Sequence, residues 1–148
     1  MTPLGLIAGI LLLVAALLGI VFVPLRRLAA QRTQAIRERF PNAKLIVPGA
    51  NFYGQESRGV MQMRGNGTLV LTDSELYFEG WLPRREFRIP LGAIQTIETP
   101  TSYLGKTNFR PLVKVVFRDA AGQTDSMAWL VPDVGGLKHA LEEARQAR

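Results

Sequence analysis

The chain opens with a long apolar run that constrains its fold more than any other feature. The segment from Leu4 to Leu25 contains 22 residues without a charged, amide or hydroxyl side chain. At about 1.5 Å per residue, a helix of this length reaches roughly 33 Å, enough to cross a hydrocarbon core of about 30 Å. A buried helix of a soluble domain normally carries polar residues on one side, and this segment carries none. The sequence therefore predicts a transmembrane anchor over residues 1–25.

A cleavable signal peptide is the main alternative for this segment. Signal peptides have positive charge before a shorter apolar stretch of about 7–15 residues, and a small-residue cleavage site after it. Only Met1, Thr2 and Pro3 precede the apolar run, and none of them is basic. Ala29 and Ala30 resemble a cleavage site, but two arginines separate them from the run. An uncleaved anchor is the preferred interpretation, and the signal peptide remains an open alternative.

Positive charge is concentrated directly after the anchor. Positions 26–44 contain six basic residues and one acidic residue, a net charge of +5, whereas positions 45–148 contain 12 basic and 11 acidic residues, a net charge of +1. The membrane-flank arginines are Arg26, Arg27, Arg32, Arg37 and Arg39. Because basic flanks stay on the cytoplasmic side, we expect a single-pass protein of the plasma (inner) membrane with its N-terminus outside. The nearly neutral remainder argues against a nucleic-acid partner.

Residues 26–40 connect the anchor to the rest of the chain. They are good helix formers without Gly or Pro until Pro41, so the transmembrane helix is expected to continue as a basic juxtamembrane helix. Two interpretations remain open for its arginines. They can be attracted to anionic headgroups, or they can belong to a simple stalk, which we prefer for the distal ones because headgroup attraction fades within about a Debye length.

Small residues are repeated along one side of the anchor. Gly5 and Gly9 form a GxxxG pair, and Ala16 and Gly19 continue roughly the same helical face. Small residues at this spacing let two membrane helices approach closely. Homo-oligomerisation through the transmembrane helix is therefore a weaker prediction.

Residues suited to catalysis or metal binding are sparse. The chain has no cysteine, which excludes disulfides, thiolate catalysis and Cys-ligated metals. The one histidine, His139, cannot form the usual zinc site by itself. Gly105-Lys106-Thr107 resembles the end of a P-loop, but Pro100 occupies the position of the required first glycine. We expect no metal, no cofactor and no enzymatic activity.

After Pro41 the sequence changes to short stretches of alternating apolar residues separated by turn residues. This pattern predicts half-buried antiparallel strands. We predict strands at Gly67–Leu71, Leu76–Trp81, Glu86–Ile89, Ile94–Glu98, Leu112–Phe117 and Ser126–Val131, and a weaker first strand at Leu45–Val47 and Asn51–Gly54. Pro48-Gly49 interrupts that first strand. Residues 41–148 are expected to form one mainly β domain.

The end of the chain has a helical period. Asp133 can cap a helix whose apolar face includes Val134, Leu137 and Leu141, and Gly135-Gly136 moves its expected start nearer Leu137. Large apolar side chains of the helix and the strands are expected to form one continuous core. They are Leu69, Leu71, Leu76, Phe78, Ile89, Leu91, Ile94, Ile97, Val113, Val115, Phe117, Trp129 and Leu141.

Three segments of this domain form a known pattern. They are GNGTLVLTDSELYFEGWLPRREFRIPLGAIQTIE, SYLGKTNFRPLVKVVFRD and DSMAWLVPD. Over about Arg64 to Leu141 the pattern resembles the bacterial pleckstrin-homology-like domains of the GRAM-like kind. The resemblance implies a bent antiparallel sheet or partial barrel of seven strands, capped by the C-terminal helix and used to bind lipid or protein.

The chain departs from that family at two places. Its terminal helix lacks the tryptophan usual in eukaryotic pleckstrin-homology domains, and only Arg58 and Arg64 stand between the first two strands, so inositol-phosphate recognition is not expected. The candidate partner-facing loop contains Tyr103, Lys106 and Arg110, and its basic side chains are expected to be solvated.

Two classes of function follow from these features. The leading hypothesis is a membrane-tethered cytoplasmic adaptor that binds a protein or lipid partner at the inner leaflet. The alternative is a lipid-handling or catalytic membrane protein whose barrel holds a small apolar ligand. A continuous interior cavity favours the alternative, whereas a filled core favours the adaptor.

Overall fold

A computed structural model describes residues 3–147 of the chain. Within them, two helices flank a group of short and long strands. The helices are α1 (Pro3–Arg39) and α2 (Val134–Gln146). The strands are β1 (Leu45–Gln55), β2 (Gly65–Leu71), β3 (Glu75–Trp81), β4 (Arg84–Pro90), β5 (Ile94–Glu98), β6 (Ser102–Tyr103), β7 (Lys106–Thr107), β8 (Val113–Arg118) and β9 (Thr124–Leu130). The mainly β class with a C-terminal helix is confirmed.

Seven of the strands form one antiparallel sheet in the order β4-β3-β2-β1-β9-β8-β5. The end strands β4 and β5 do not pair with each other, so the sheet is not closed. Strands β6 and β7 form a separate hairpin. Phe78 on β3 and Trp129 on β9 lie three strands apart in this order, yet their ring centroids are 5.9 Å apart. A flat sheet would separate these strands by about 14 Å, so the sheet curls over its own inner face.

Strand β1 is continuous, whereas two fragments were predicted. Its pairing with β2 shifts register between Pro48 and Ala50, where Gly49 has a φ of +77°. A glycine in this conformation forms a bulge without steric cost, and the strand resumes after it. The same strand pairs with β9 from Asn51 onward, so it belongs to both halves of the sheet.

The inner face of the sheet and α2 enclose one core. All 13 predicted core residues belong to it, so this prediction is confirmed. The core also contains Ala50, Phe52, Met127 and Val131, which were not predicted, and Leu137 and Ala144 from the predicted apolar face of the terminal helix. Helix α2 contributes Leu141, which is fully buried.

Helix α2 begins at Val134, earlier than predicted. The carboxylate of Asp133 accepts a hydrogen bond from the Gly136 amide at 2.8 Å, which confirms the predicted cap. A side chain at Gly136 would meet that carboxylate at 2.3 Å. Gly136 has a low helix propensity and so weakens the first turn of α2. Because it has no side chain, however, the Asp133 carboxylate can come close enough to accept its amide hydrogen bond.

Helix α1 is continuous through Pro24 and ends before Pro41, as predicted. Among the described residues it is the one helix long and apolar enough to cross a membrane. Its apolar side chains from Leu4 to Leu25 are largely exposed.

Candidate functional site

The last turns of α1 lie on the outer face of β2 and β3. Ile36 is fully buried, at 0% exposure, in a cluster with Val70 and Tyr77. Phe40 lies beside Tyr77, with ring centroids 4.9 Å apart. The connector is therefore part of the folded domain, and the simple-stalk interpretation is wrong for this segment.

A buried carboxylate fastens the end of α1 to the sheet. Glu79 is 1% exposed, and its Oε2 accepts hydrogen bonds from Arg39 Nη2 at 2.5 Å and from the Tyr77 hydroxyl at 2.9 Å. Burial alone raises the pKa of Glu79, but these hydrogen bonds outweigh it and hold that pKa below its ordinary value. Arg39, predicted to be a membrane-flank residue, is thus engaged in an ion pair with the domain.

Nearer the apolar end, α1 passes beside the start of β2 and the turn between β3 and β4. A hollow of about 370 Å³ there is lined by Phe22, Leu25, Arg26, Leu28, Ala29, Asn66, Trp81 and Leu82. Trp81 Nε1 donates to Thr68 Oγ1 at 3.1 Å, which holds the indole against the sheet. This end of the domain therefore lies at the boundary between the apolar run and its basic flank.

The other predicted residues of α1 lie mainly on its open surface. The exposed ones are Gly5, Gly9, Ala16, Arg26, Arg27 and Arg37. Arg32 is half-buried. A side chain added at Gly9 or Gly19 would meet no atom within 4 Å, so this face has room for a second helix, and self-association remains a prediction.

A groove opens on the outer face of β1 and β9, next to the β6–β7 hairpin. It has a volume of about 520 Å³ and is lined by Gly49, Asn51, Tyr53, Arg64, Asn66, Asn108, Arg110, Leu130, Val131 and Pro132. We call it the basic groove, because its lining includes two guanidinium groups and no carboxylate. Guanidinium and amide donors on one surface fit a carboxylate or phosphate group.

One guanidinium of the basic groove is held in place by an aromatic ring. Arg64 Cζ lies 4.1 Å from the centroid of Tyr53, and its Nη1 donates to the Tyr53 hydroxyl at 3.3 Å. In the described part of the chain, no carboxylate oxygen lies within 4.0 Å of a nitrogen of Arg64 or Arg110. Their positive charge is therefore not neutralised by a partner within these residues.

Lys106 supports the groove instead of facing solvent. Its Nζ donates to the carbonyl oxygens of Tyr53 at 3.1 Å and Gln62 at 2.8 Å. The prediction that the Lys106 amine is solvated is therefore wrong. Burial lowers the pKa of this amine, and the charge of Arg64 lowers it further. The lysine ties the β6–β7 hairpin to the end of β1.

Tyr103 is also internal. It is 7% exposed, and its hydroxyl donates to the Ser126 carbonyl oxygen at 2.7 Å. Burial raises the pKa of this phenol to about 12. Of the predicted partner-facing residues, Tyr103 is thus in the interior, whereas Arg110 is exposed and lines the basic groove.

A second buried carboxylate holds the loop between β1 and β2. Asp125 is 2% exposed and accepts hydrogen bonds from the Ser57 amide at 3.0 Å, the Ser57 hydroxyl at 2.7 Å and Gln55 Nε2 at 2.6 Å. Burial alone raises the pKa of Asp125, but these donors more than offset it and hold the pKa below its ordinary value. The loop that carries Arg64 is therefore anchored at its start.

Replacing Asp125 by Asn is expected to lower the free energy of unfolding by about 1–3 kcal/mol near pH 7, because the amide turns a donor toward existing donors. The folded-state pKa lies below the unfolded value of about 4, so the stabilisation is present above that value and is lost as the pH falls through the folded-state pKa. The difference in urea midpoint between wild type and Asp125→Asn, followed by tryptophan fluorescence, should therefore be constant from about pH 7 to about pH 4 and should shrink only as the pH falls below that toward the folded-state pKa. Glu143→Gln, on the exposed side of α2, is the control. A difference independent of pH would contradict a charged Asp125.

The motifs suggestive of chemistry lie on separate elements of the fold. Gly105-Lys106-Thr107 lies in the β6–β7 hairpin and does not precede a helix. His139 is exposed on α2, with its Nε2 3.3 Å from Glu143. Within residues 3–147, no group of three or more potential ligands is arranged to hold a metal ion.

Sequence reasoning missed most of the basic groove. The sequence predicts only a weak strand for Asn51 and Tyr53. Both alternate with Phe52 along β1, and this alternation could have placed them on the outer face of the sheet. Arg64 and Arg110 are far apart in the chain, and no local pattern indicates that the hairpin brings them to one surface.

No family model matches the chain, and no curated protein matches it. Two solved structures are similar to it. The C-terminal domain of an unknown protein from Leishmania infantum has 16% sequence identity and a TM-score of 0.56, covering 76% of this chain and 96% of that one. A chain of the 8S snRNP assembly intermediate has 10% identity and a TM-score of 0.51, covering 72% of this chain and 80% of that one. At these identities the likeness shows the fold alone.

Proposed function

We propose that this chain is a membrane-tethered cytoplasmic binding module that recognises a protein or lipid partner at the inner leaflet. In this proposal α1 crosses the plasma membrane once, with its N-terminus outside. Residues 41–148 form a bacterial PH-like, GRAM-like domain, a partial barrel capped by α2. The observation that carries the proposal is the attachment of α1 to the sheet through buried Ile36 and the Arg39–Glu79 pair.

The basic groove is the proposed recognition surface. Arg64 is preset on Tyr53, and Arg110 is exposed beside it without a carboxylate partner in the described chain. A preset guanidinium loses little side-chain freedom when it binds a carboxylate or phosphate, which favours affinity. The partner is therefore expected to present an anionic group.

Aromatic packing at the centre of the core supports a binding module over a barrel that holds an apolar ligand there. Phe52, Phe78 and Trp129 occupy the inner face of the sheet, with ring centroids 5.6 to 5.9 Å apart. Rings at this separation are in direct contact and leave no space between them for a ligand. The alternative function would require these side chains to move apart.

Photocrosslinking in native membranes tests the proposed function. A photoreactive residue at Asn108, in the basic groove, is expected to capture a protein or lipid. The double variant Arg64→Gln/Arg110→Gln should reduce that product by about tenfold, since charge-assisted contacts to two guanidiniums are lost. Lys138→Gln, on α2, is the matched control. A photoreactive residue at position 138 is the second control. Equal yields of crosslinked product from positions 108 and 138 would contradict a specific partner.

The expected orientation depends on the arginines next to the apolar run. Replacing Arg26 and Arg27 by Glu should lower the fraction of molecules with the domain in the cytoplasm, because positive flanks resist translocation. The chain has no cysteine, so Ser74→Cys in the β2–β3 turn supplies one reporter. A membrane-impermeant maleimide should label it only after lysis. Labelling in intact cells without the Arg changes would contradict the orientation.

A further inference from the structure

Exposed apolar side chains cluster at one end of the β domain. In the described residues outside the apolar run, the large ones are Val60, Met61, Met63, Leu82 and Phe109. The first three lie on the loop between β1 and β2, and Leu82 lies on the turn between β3 and β4. Met61 is 94% exposed, an arrangement that costs free energy in water unless something covers it. We call Val60, Met61, Met63 and Leu82 the apolar rim.

The two segments of the apolar rim are joined. Arg85, at the start of β4, donates from Nη1 to the Met63 carbonyl oxygen at 3.3 Å. This bond brings the β1–β2 loop to the β3–β4 turn that carries Leu82. The rim is therefore one surface made of two adjacent loops.

The rim lies beside the apolar part of α1. Leu82 lines the same hollow as Phe22 and Leu25, which are the last turn of the apolar run. Farther along α1, Ile36 packs on Val70 near the other end of β2. Strand β2 thus runs alongside α1, and the loop that precedes β2 points toward the apolar end of the helix.

The position of the apolar rim beside the end of the apolar run indicates how deep the rim lies in a bilayer. If Phe22 and Leu25 lie in the hydrocarbon region, a side chain that shares their hollow cannot be far from it. Basic residues flank the rim, as expected for a surface at the level of anionic headgroups. They are Arg26, Arg58, Arg64 and Arg85.

We propose that the apolar rim inserts into the same leaflet that α1 enters, as a second contact between the domain and the bilayer. The occupant of this surface is lipid at the boundary between headgroups and acyl chains. The inference rests on the proposed function, because it requires α1 to span the membrane. The domain then contacts the bilayer through the rim as well as through α1.

Depth-dependent quenching of the full chain tests this inference. Single cysteines at Met61 and Leu82 are labelled with an environment-sensitive dye, in vesicles of mixed zwitterionic and anionic phospholipid. Ser74→Cys, in the turn at the opposite end of β2, is the aqueous control, and Leu18→Cys is the control within the anchor. Tryptophan fluorescence verifies that each variant is folded.

Nitroxide carried on the lipid near the headgroup is expected to quench the dyes at Met61 and Leu82 by about twofold or more, as for groups buried about 5–10 Å into the interface. Ser74 should be unaffected. Quenching at Leu18 without quenching at Met61 and Leu82 would overturn the rim while leaving the anchor intact. Leu18 precedes the end of the apolar run by about 10 Å along α1, so its dye is tested with nitroxide carried on the acyl chain. Absence of that quenching at Leu18 would overturn the spanning anchor and the rim together. Protection of Met61 from an aqueous quencher without lipid quenching would show a protein contact instead, which also overturns the inference.

Discussion

Replacing Leu141 by Ala is expected to lower the free energy of unfolding of the β domain by about 2–5 kcal/mol. Leu141 is fully buried in the core that α2 shares with the inner face of the sheet. Its truncation removes apolar contacts and leaves a cavity that a well-packed core fills only in part. A small domain has only about 5–15 kcal/mol of stability in total, so the effect is large.

The measurement is urea unfolding of the full chain in mild detergent, followed by tryptophan fluorescence, to which Trp129 in the core contributes. His139→Ala is the control, because it truncates an exposed side chain of the same helix. This control should change stability by about 0.5 kcal/mol or less. Equal midpoints for Leu141→Ala and His139→Ala would show that α2 does not close the core.

Replacing Ile36 by Ala is expected to weaken the attachment of α1 to the sheet by about 2–5 kcal/mol, since Ile36 is fully buried against Val70 and Tyr77. This substitution should weaken the contact between α1 and the sheet more than it weakens the core of the β domain. Backbone amides in the last turns of α1 should then exchange with solvent at least about tenfold faster.

Hydrogen exchange of the full chain in lipid nanodiscs measures this change. Arg37→Ala is the control, because Arg37 follows directly in the same helix and is exposed. Helix propensity barely differs between Arg and Ala, so the control should leave exchange unchanged. Similar exchange rates in the two variants would contradict a packed junction.

The inner face of the sheet could be predicted because its signal is local. Alternation placed Leu69 and Leu71 on one side of β2 and Phe78 on the matching side of β3, and the core contains all three. Phe52 was missed because Pro48-Gly49 looked like a strand break, whereas Gly49 forms a bulge that β1 continues past. A bulge and a strand break have the same local composition. Only the pairing with the neighbouring strand shows which of the two is present.

The outer face of the sheet carries the candidate site. Local sequence patterns predict little of this face, because its contacts join residues far apart in the chain. The apolar side of the connector was visible in the sequence, but nothing there identified Val70 and Tyr77 as the surface it covers. The sequence indicates Arg39 only as a membrane-flank residue, because its partner, Glu79, is 40 residues away. Long-range charge pairing is set by the fold, so charge counting alone does not reveal this ion pair.

The central claim is that α1 and the β domain form one rigid unit. It is tested most directly by the distance between spin labels at Gln31 on α1 and Ser74 in the β2–β3 turn, both exposed positions in a chain without native cysteine. Double electron–electron resonance of the full chain in nanodiscs should give a single narrow distance distribution that Ile36→Ala broadens. A broad distribution in the otherwise unaltered chain, unchanged by Ile36→Ala, would contradict the claim.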